Sequence, residues 1–570
     1  MDLLLAHPPA VFNFRNNSDS YFPFFSANSG NPITPLYEMF PVGFKSLKEY
    51  LTSRGHPTEI VNLSTVMLKY PDISIEQLFL DIDPVMVGID LHWMVHVHGS
   101  LGLAETIKKV RPDIPIIFGG ISSTYYYEEL IEYPFIDMIM RGYDTHEPMS
   151  LLMQNLKDGV DPVDVPNLVW KKDGKAVMND FDHKPKKLTN AINFSDIPTD
   201  NKSFIPIRDV LTTENAGCAH NCGWCAGSRD SFKRINETRY AVVQKDLEAI
   251  HCEMNSIANI PANDKKYNLY SLGTYSESKS RLNSILDSVS ESNLNSVMYD
   301  QFHIPSDEMT LKMAEASPKV IVNMSPMSHD VHVSKLSGRG TYTMEEMEDW
   351  ITKALDMGIY EIDVWFLIGL EGQDEQSVYD TVEYCRHLLE KFQGKRVIPF
   401  ICPMFPFLDP ASNYFEQPEK YGYKLFYKTV EEHRRGMENK SLITRINYET
   451  EWLTREQLVY VSYEAIKRLF ILKGEYKIFP NIVVKNFVEK LDEAVYYTKE
   501  VHRIENIEDE ATRNAEYEKI RETIRELNHK TFKGGGTNIH IPISRKIGGR
   551  WYDEIPSFLT EEYIKKVSIA

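Results

Sequence analysis

Short apolar runs alternate with amphipathic helical stretches along most of this 570-residue chain, in two separate series. Such alternation commits a chain to parallel sheets covered by helices, because successive parallel strands need a crossover long enough to hold a helix. The first series predicts five strands, Leu3 to Ala6, Thr58 to Asn62, Val85 to Asp90, Ile114 to Phe118 and Asp137 to Met140, with helices near 41–54, 99–110, 125–132 and 146–157. That pattern suits an open flavodoxin-like (Rossmann-type) sheet, in which ligands sit at the carboxyl ends of the strands. The second series predicts six, Asp209 to Thr213, Asn268 to Leu272, Ser296 to Phe302, Val320 to Met324, Ile362 to Leu370 and Val397 to Cys402. Its helices fall near 239–255, 277–293, 306–316, 344–357 and 375–391. Six strands are too few to close a TIM barrel, so a partial (β/α)6 barrel is expected. Between the series, residues 167–178 read as a β-hairpin turning at Asp173-Gly174, followed by a polar, Pro-containing stretch. The α/β reading divides the chain into domains at 1–157 and 206–405, a linker at 158–205 and a mostly helical region at 406–570.

The loop after the first strand of the second series runs Ala216-Gly217-Cys218-Ala219-His220-Asn221-Cys222-Gly223-Trp224-Cys225 and holds three of the six cysteines. Three thiolates on one tight loop can hold three irons of a cubane and leave the fourth open, whereas structural zinc takes four protein ligands and a closed shell. Zinc or a redox dithiol is the plain alternative for a Cys-x-x-Cys pair. A fourth zinc ligand would have to be His220 or a distant residue, because Cys252, Cys385 and Cys402 are scattered singly and read as ordinary thiols.

Cys-x-x-x-Cys-x-aromatic-Cys, with Trp224 in the aromatic position, resembles the signature of radical S-adenosylmethionine enzymes. The resemblance implies a 4Fe-4S cluster on Cys218, Cys222 and Cys225. It also implies S-adenosylmethionine chelated to the open iron and cleaved by an electron from the cluster to a 5′-deoxyadenosyl radical. The protein would supply orientation and exclusion of water. Four further stretches resemble family landmarks. Ser271-Leu272-Gly273-Thr274 stands where the family has Gly-Gly-Glu, although no glutamate follows Gly273. Asn323-Met324-Ser325-Pro326 resembles the stretch that holds ribose or carboxylate. Leu336 to Thr343 resembles the segment before the next helix, with Thr343 as N-cap and Glu346 three residues on. Phe366 to Asp374 resembles the run beside adenine, which nominates Ile368 and Gly369.

Pieces of the first series resemble the cobalamin-binding domain that precedes many radical S-adenosylmethionine enzymes. They are Leu4 to Pro9, Pro41 to Phe44 with Leu51 to His56, and Ile116 to Thr124, while Met140 to Asp144 falls at a family turn. The resemblance places Gly119 and Gly120 where backbone meets a flat ligand, Ser122, Ser123 and Thr124 at its tail, and Gly142 nearby. A plain turn after a strand is the alternative for the glycines. The Asp-x-His-x-x-Gly motif that supplies an axial histidine is absent from the first loop, which reads His7-Pro8-Pro9-Ala10-Val11-Phe12. That leaves the lower ligand unassigned. Asp90-Leu91-His92 follows the third strand instead, and His96 and His98 share a face if that strand continues. They read as a pocket lining or a core pair rather than a metal site.

Lys plus Arg number 63 against 82 Asp plus Glu, a net charge of −19, which argues against broad binding to nucleic acid or anionic membrane. No stretch approaches the ~18 apolar residues of a membrane helix. The start of the chain lacks the basic leader and long apolar core of a signal peptide. With free cysteines and an oxygen-sensitive cluster, a cytoplasmic location in an anaerobic host is expected. Aromatics at Tyr414, Phe415, Tyr421, Tyr423, Phe426 and Tyr427 suit a substrate pocket or core. The expected activity is a cobalamin-dependent methyltransferase acting on an unactivated carbon or phosphorus of a small metabolite, served by an electron donor such as flavodoxin or ferredoxin. A radical cyclase or rearrangement enzyme without methyl transfer is the alternative, and a non-catalytic cobalamin or iron–sulfur carrier the reading from another class.

Overall fold

The fold was analysed in a computed structural model, which describes residues 1–15, 21, 42–195, 209–259, 268–272, 278–294, 296–404, 407–533 and 559–568. The expected five strands form as β1 (Leu3–His7), β2 (Thr58–Asn62), β3 (Met86–Asp90), β4 (Ile116–Gly119) and β5 (Met138–Met140), parallel and in the order 2-1-3-4-5. β1 and β3 are buried at every residue, as strands covered by helices on both faces must be. The hairpin forms as β6 (Leu168–Lys172) and β7 (Lys175–Met178), with Asp173 and Gly174 at φ 50° and 74°, the left-handed pair of a tight turn. It extends the sheet, since β6 pairs antiparallel with β5.

Two local expectations are corrected. β3 ends at Asp90, and His96 and His98 do not share a strand face: His96 closes a single 3₁₀ turn, Met94–His96, and His98 lies in the helix Val97–Val110. The helix expected near 125–132 is two short ones, Ile121–Tyr125 and Tyr127–Ile131, broken at Tyr126.

The second series forms β8 (Asp209–Thr213), the short β9 (Asn215–Gly217) and β10 (Val242–Gln244), then β11 (Asn268–Leu272), β12 (Ser296–Gln301), β13 (Val320–Met327), β14 (Glu361–Ile368) and β15 (Val397–Pro403). β8 and β11 to β15 make a six-stranded all-parallel sheet in sequential order, with β8 and β15 at its open edges. The helix expected from residue 239 starts only at Leu247, because Val242-Val243-Gln244 pairs antiparallel with β9. β13 runs longer than expected and slips register between Met324 and Met327, where Pro326 has no N–H for the ladder.

The C-terminal part is mostly helical. A small antiparallel pair, β16 (Tyr423–Leu425) and β17 (Tyr448–Thr450), precedes the helices Arg455–Glu475, Asn481–Glu505 and Glu510–Lys533. Thr454 and Gln457 form a capping box that starts the first of these. That helix lies against β15, with the buried Lys473 ammonium 4.0 Å from the Phe400 ring centroid. Among the described residues no helix is long and apolar enough to cross a membrane.

The segment between β15 and β17 joins the two halves. Tyr126 donates to the Lys428 carbonyl at 2.6 Å, Tyr133 to Glu431 at 3.0 Å, Tyr125 to Glu416 at 2.7 Å, and the Val430 N–H to Glu129 at 2.7 Å. His433 lies fully buried among the rings of Tyr126, Phe407, Phe415 and Tyr427. Tyr414, Phe415 and Tyr423 are core residues of this segment rather than an open pocket wall.

Candidate active site

β9 delivers Cys218 from a tight turn. Gly217 has φ 77°, and a Cβ there would lie 2.3 Å from the Ala241 carbonyl oxygen, so only glycine lets β9 and β10 close at this point. The loop then folds on itself: the Cys225 N–H donates to the Cys222 carbonyl at 3.2 Å, and the Arg229 N–H to the His220 carbonyl at 2.8 Å, leading into the helix Arg229–Ile235. Asn221 makes reciprocal bonds with Asp230, donating at 2.7 Å and accepting its N–H at 3.2 Å.

The loop is clamped from both sides. The Gly223 N–H donates to the Ser337 carbonyl at 3.3 Å, and its carbonyl accepts from the Tyr414 N–H at 2.9 Å. A Cβ on Gly223 would sit 2.2 Å from the Tyr414 ring, and one on Gly338 2.5 Å from the Asn221 carbonyl oxygen. Trp224 packs with Met327, Val333, Leu367, Leu370 and Met404 under the ends of β13 and β14, and its indole N–H is buried with no partner among the described residues.

The surroundings of two of the thiols favour their protonated form. Burial raises Cys218, and burial followed by the charge of Asp409 raises Cys225 well above an ordinary thiol. Two N–H groups already point at sulfur: His220 N–H to Cys218 Sγ at 3.4 Å, and Arg339 Nε–H to Cys222 Sγ at 2.9 Å. Arg339 is only 8% exposed, its guanidinium lies 3.1 Å from the Phe302 ring centroid, and its Nη1 has no partner among the described residues. The His220 ring packs on His303 at 4.5 Å, and burial with the neighbouring Arg339 pushes its pKa down to about 3. Asp409 accepts from the Ala226 N–H at 3.3 Å, and burial raises it to about 6. Among the described residues no group of three or more His, Cys, Asp or Glu converges as the ligands of one metal ion do. Thiolates that each take a separate iron of a cubane need no such convergence.

The other sequence-nominated residues of this half are less uniform. Ser325 is half-buried in the irregular end of β13. Ile368 is core, and Gly369 has both backbone groups committed, its N–H to Gln373 at 2.8 Å and its carbonyl to the Tyr423 hydroxyl at 2.8 Å. Gly273 lies outside the described residues.

At the carboxyl end of the first sheet, Gly119 has open space, the nearest atom to a built Cβ being Met140 O at 4.0 Å. Gly120, at φ 109°, is packed on protein instead: a Cβ would lie 2.8 Å from the His92 N and Cα and from the Leu91 carbonyl oxygen. The hydroxyls expected at a ligand tail donate to backbone: Ser122 to His92 at 3.0 Å, Ser123 to Gly119 at 3.0 Å and Thr124 to Gly120 at 2.9 Å. Thr124 also accepts from the Gly142 N–H at 3.1 Å, which ties the loops after β4 and β5 together. Below them His7 Nδ1 and Asp90 pair at 2.9 Å; burial opposes ionisation of Asp90, but His7 beside it holds the carboxyl below its usual range.

The two carboxyl-end faces meet. Ile121 and Tyr125, just past Gly120, pack against Ala226, Ile235 and Ala411, and Ala226 directly follows Cys225. Tyr143, after β5, lies 5.3 Å from the Phe232 ring. Neither contact is legible in sequence, nor is the link of Arg339, Asp409 and Tyr414 to the cysteine loop, because nothing local ties them to the cysteines.

Comparison with known proteins bears on both halves. Residues 31–152 match the B12 binding domain family. The fold is similar to the radical S-adenosylmethionine methyltransferase TsrM from Kitasatospora setae solved with cobalamin and a [4Fe-4S] cluster bound. That match has TM-score 0.54 and 16% identity, covering 87% of this chain and 100% of that one. The same enzyme solved with tryptophan substrate and the analogue aza-SAM aligns with TM-score 0.52 and 16% identity, over 74% of this chain and 78% of that one. A comparison with curated protein sequences gives no match. The chain therefore joins a B12-binding domain to a six-stranded parallel α/β sheet and a mostly helical C-terminal part, in the fold of the TsrM structures.

Proposed function

We propose that this protein is a cobalamin-dependent radical S-adenosylmethionine methyltransferase acting on an unactivated carbon or phosphorus of a small metabolite. The observation that carries the reading is the packing of Ile121 and Tyr125, at the mouth of the B12-binding domain, on the residue after Cys225. Two cofactors held on these faces would stand next to each other, which transfer between them requires.

Cys218, Cys222 and Cys225 would hold the 4Fe-4S cluster, with the N–H groups of His220 and Arg339 lowering the charge density on two of the sulfurs. The unpaired Nη1 of buried Arg339 fits an anion beside the cluster, and the methionine carboxylate of S-adenosylmethionine is such a group. The indole N–H of Trp224 is a second unused donor in the same loop. Ser325, Ile368, Gly369 and Gly273 complete the set proposed for that cofactor. Gly119 leaves room for the corrin face, while Gly120, Ser122, Ser123, Thr124 and Gly142 shape the loops beneath it. When bound, the cluster supplies an electron and the cobalamin a transferable methyl group; the protein holds them, orients the substrate and excludes water. The reading assigns 1–157 to cobalamin, 158–205 to a connector whose hairpin edges the first sheet, 206–405 to cluster chemistry and 406–570 to the cover. It also implies a flavodoxin- or ferredoxin-like donor and a reducing, anaerobic cytoplasm.

The test is anaerobic reconstitution with iron, sulfide and cobalamin, followed by S-adenosylmethionine, a reductant and candidate metabolites. S-adenosylhomocysteine formed together with a methylated product is the expected result. A protein that binds zinc stoichiometrically and never consumes S-adenosylmethionine refutes it, and Cys222→Ala should lose both iron and turnover.

A further inference from the structure

One face of the second sheet carries buried polar groups that the cysteine loop does not use. Phe366 packs edge-on to Tyr384 of the helix Glu375–Lys391 at 5.9 Å, so alternation along β14 turns Asp363, Trp365 and Leu367 to the opposite face. That face leads to the cysteines, because Leu367 and Trp224 pack in one apolar cluster. Asp300, Asn323 and Asp363 stand side by side on it, register partners across β12, β13 and β14. Tyr299, the residue before Asp300, is in register through Ser271 with Thr212, on the strand that runs toward the cysteine loop.

All three are buried, and Asn323 in the middle is only 1% exposed. Its Nδ2 donates to Asp300 Oδ1 at 2.8 Å. A carboxylate accepts and cannot donate, so this bond fixes which way the amide faces. The Asn323 Oδ1 is then left without a donor among the described residues, in a strand whose other neighbour presents Asp363. A buried acceptor with no donor is costly, and one flanked by two buried carboxylates suits a donor that also carries positive charge. Toward the loop, Trp365 stacks on Phe400 at 4.4 Å and gives the row an apolar wall. The buried Lys473 ammonium, 4.0 Å from the Phe400 ring, shows that this wall accommodates a cation.

We propose that this row recognises the substrate and that the substrate carries a protonated amine, which donates to Asn323 Oδ1 and to the carboxylates of Asp300 and Asp363. Resting on the methyltransferase reading above, this assignment narrows the small metabolite to a cationic amine. An ammonium group has three donors and no acceptor, and strands ~4.8 Å apart set three acceptors along one row to meet it. A neutral hydroxyl brings one donor and no charge, so it satisfies the row less well.

The experiment titrates the full-length reconstituted protein anaerobically with paired probes, 2-phenylethylammonium against 2-phenylethanol and hexylammonium against hexanol, by ligand-observed magnetic resonance. The ammonium member of each pair should bind at least about tenfold more tightly than its alcohol. Asp300→Asn and Asp363→Asn, which keep the side-chain shape, should each lose most of that preference while the Kd for S-adenosylmethionine stays at its wild-type value. Alcohols that bind as tightly, ammonium probes that do not bind, or a preference that survives in both variants overturns the assignment. A fall in S-adenosylmethionine affinity in Asp300→Asn gives the row to that cofactor and overturns it as well. These outcomes leave the methyltransferase reading standing; that reading fails separately, when the reconstituted protein forms no S-adenosylhomocysteine whatever the amine preference.

Discussion

Replacing Arg339 by methionine tests whether the buried guanidinium is held for a ligand or for the fold. Methionine keeps a long flexible stem against Phe302 but removes the Nε–H on Cys222 Sγ, 2.9 Å away, and the unpaired Nη1. A hydrogen bond involving a charged group contributes about 1.5–3 kcal/mol. Loss of one such bond to the methionine carboxylate should weaken S-adenosylmethionine binding about 10- to 150-fold. Arg339→Lys should fall between, since it keeps the charge and loses the planar fork. The assay is the Kd for S-adenosylmethionine by equilibrium binding to the reconstituted protein under anaerobic conditions, with iron content measured alongside. Iron should stay near wild type, because the cysteines are untouched. The cofactor-free variant should unfold at the same temperature or higher, because a buried, incompletely paired cation costs stability. Unchanged affinity in Arg339→Met refutes the assignment. A large drop in unfolding temperature without a change in affinity shows that the residue serves packing.

Gly120→Ala should destabilise the first sheet by at least about 1–3 kcal/mol, the usual cost of a strained backbone region, because φ is 109° and backbone atoms lie 2.8 Å from the new Cβ. Gly119→Ala, with open space, should cost less than about 1 kcal/mol; equal shifts in urea midpoint would contradict the packing argument. His433 is buried and neutral, donating from Nδ1 to the Thr429 carbonyl at 2.7 Å and accepting from Asn447 at 3.1 Å, and burial pushes its pKa down to about 4. The unfolded chain therefore binds a proton first as pH falls. The stabilisation is complete above about pH 6.5 and lost toward pH 4, by about 3 kcal/mol. His433→Gln should flatten that part of the pH–stability curve, and identical curves for both proteins would show that another group sets it.

Much of this architecture is written locally. The apolar runs of β1, β3, β4 and β14 predict their strands because a strand buried on both faces is built mostly of apolar residues, and Asp173-Gly174 predicts its turn because few other residues adopt its backbone angles. The cysteine loop announces itself because a thiolate set on one short segment is a local pattern. Where sequence misjudged, a long-range partner intervened: Val242 to Gln244 reads as helix until β9 offers it a ladder, and Ser122 reads as a ligand contact until its hydroxyl finds the His92 carbonyl. What only the tertiary structure decided is which distant residues serve the cysteines. Arg339 reaches the loop from the turn between the helices Val331–Leu336 and Met344–Asp356, Asp409 from the segment after β15, and Ile121 and Tyr125 bring a second sheet onto Ala226. No periodicity encodes such a meeting, because it is fixed by how two sheets far apart in sequence bury their carboxyl-end loops against each other.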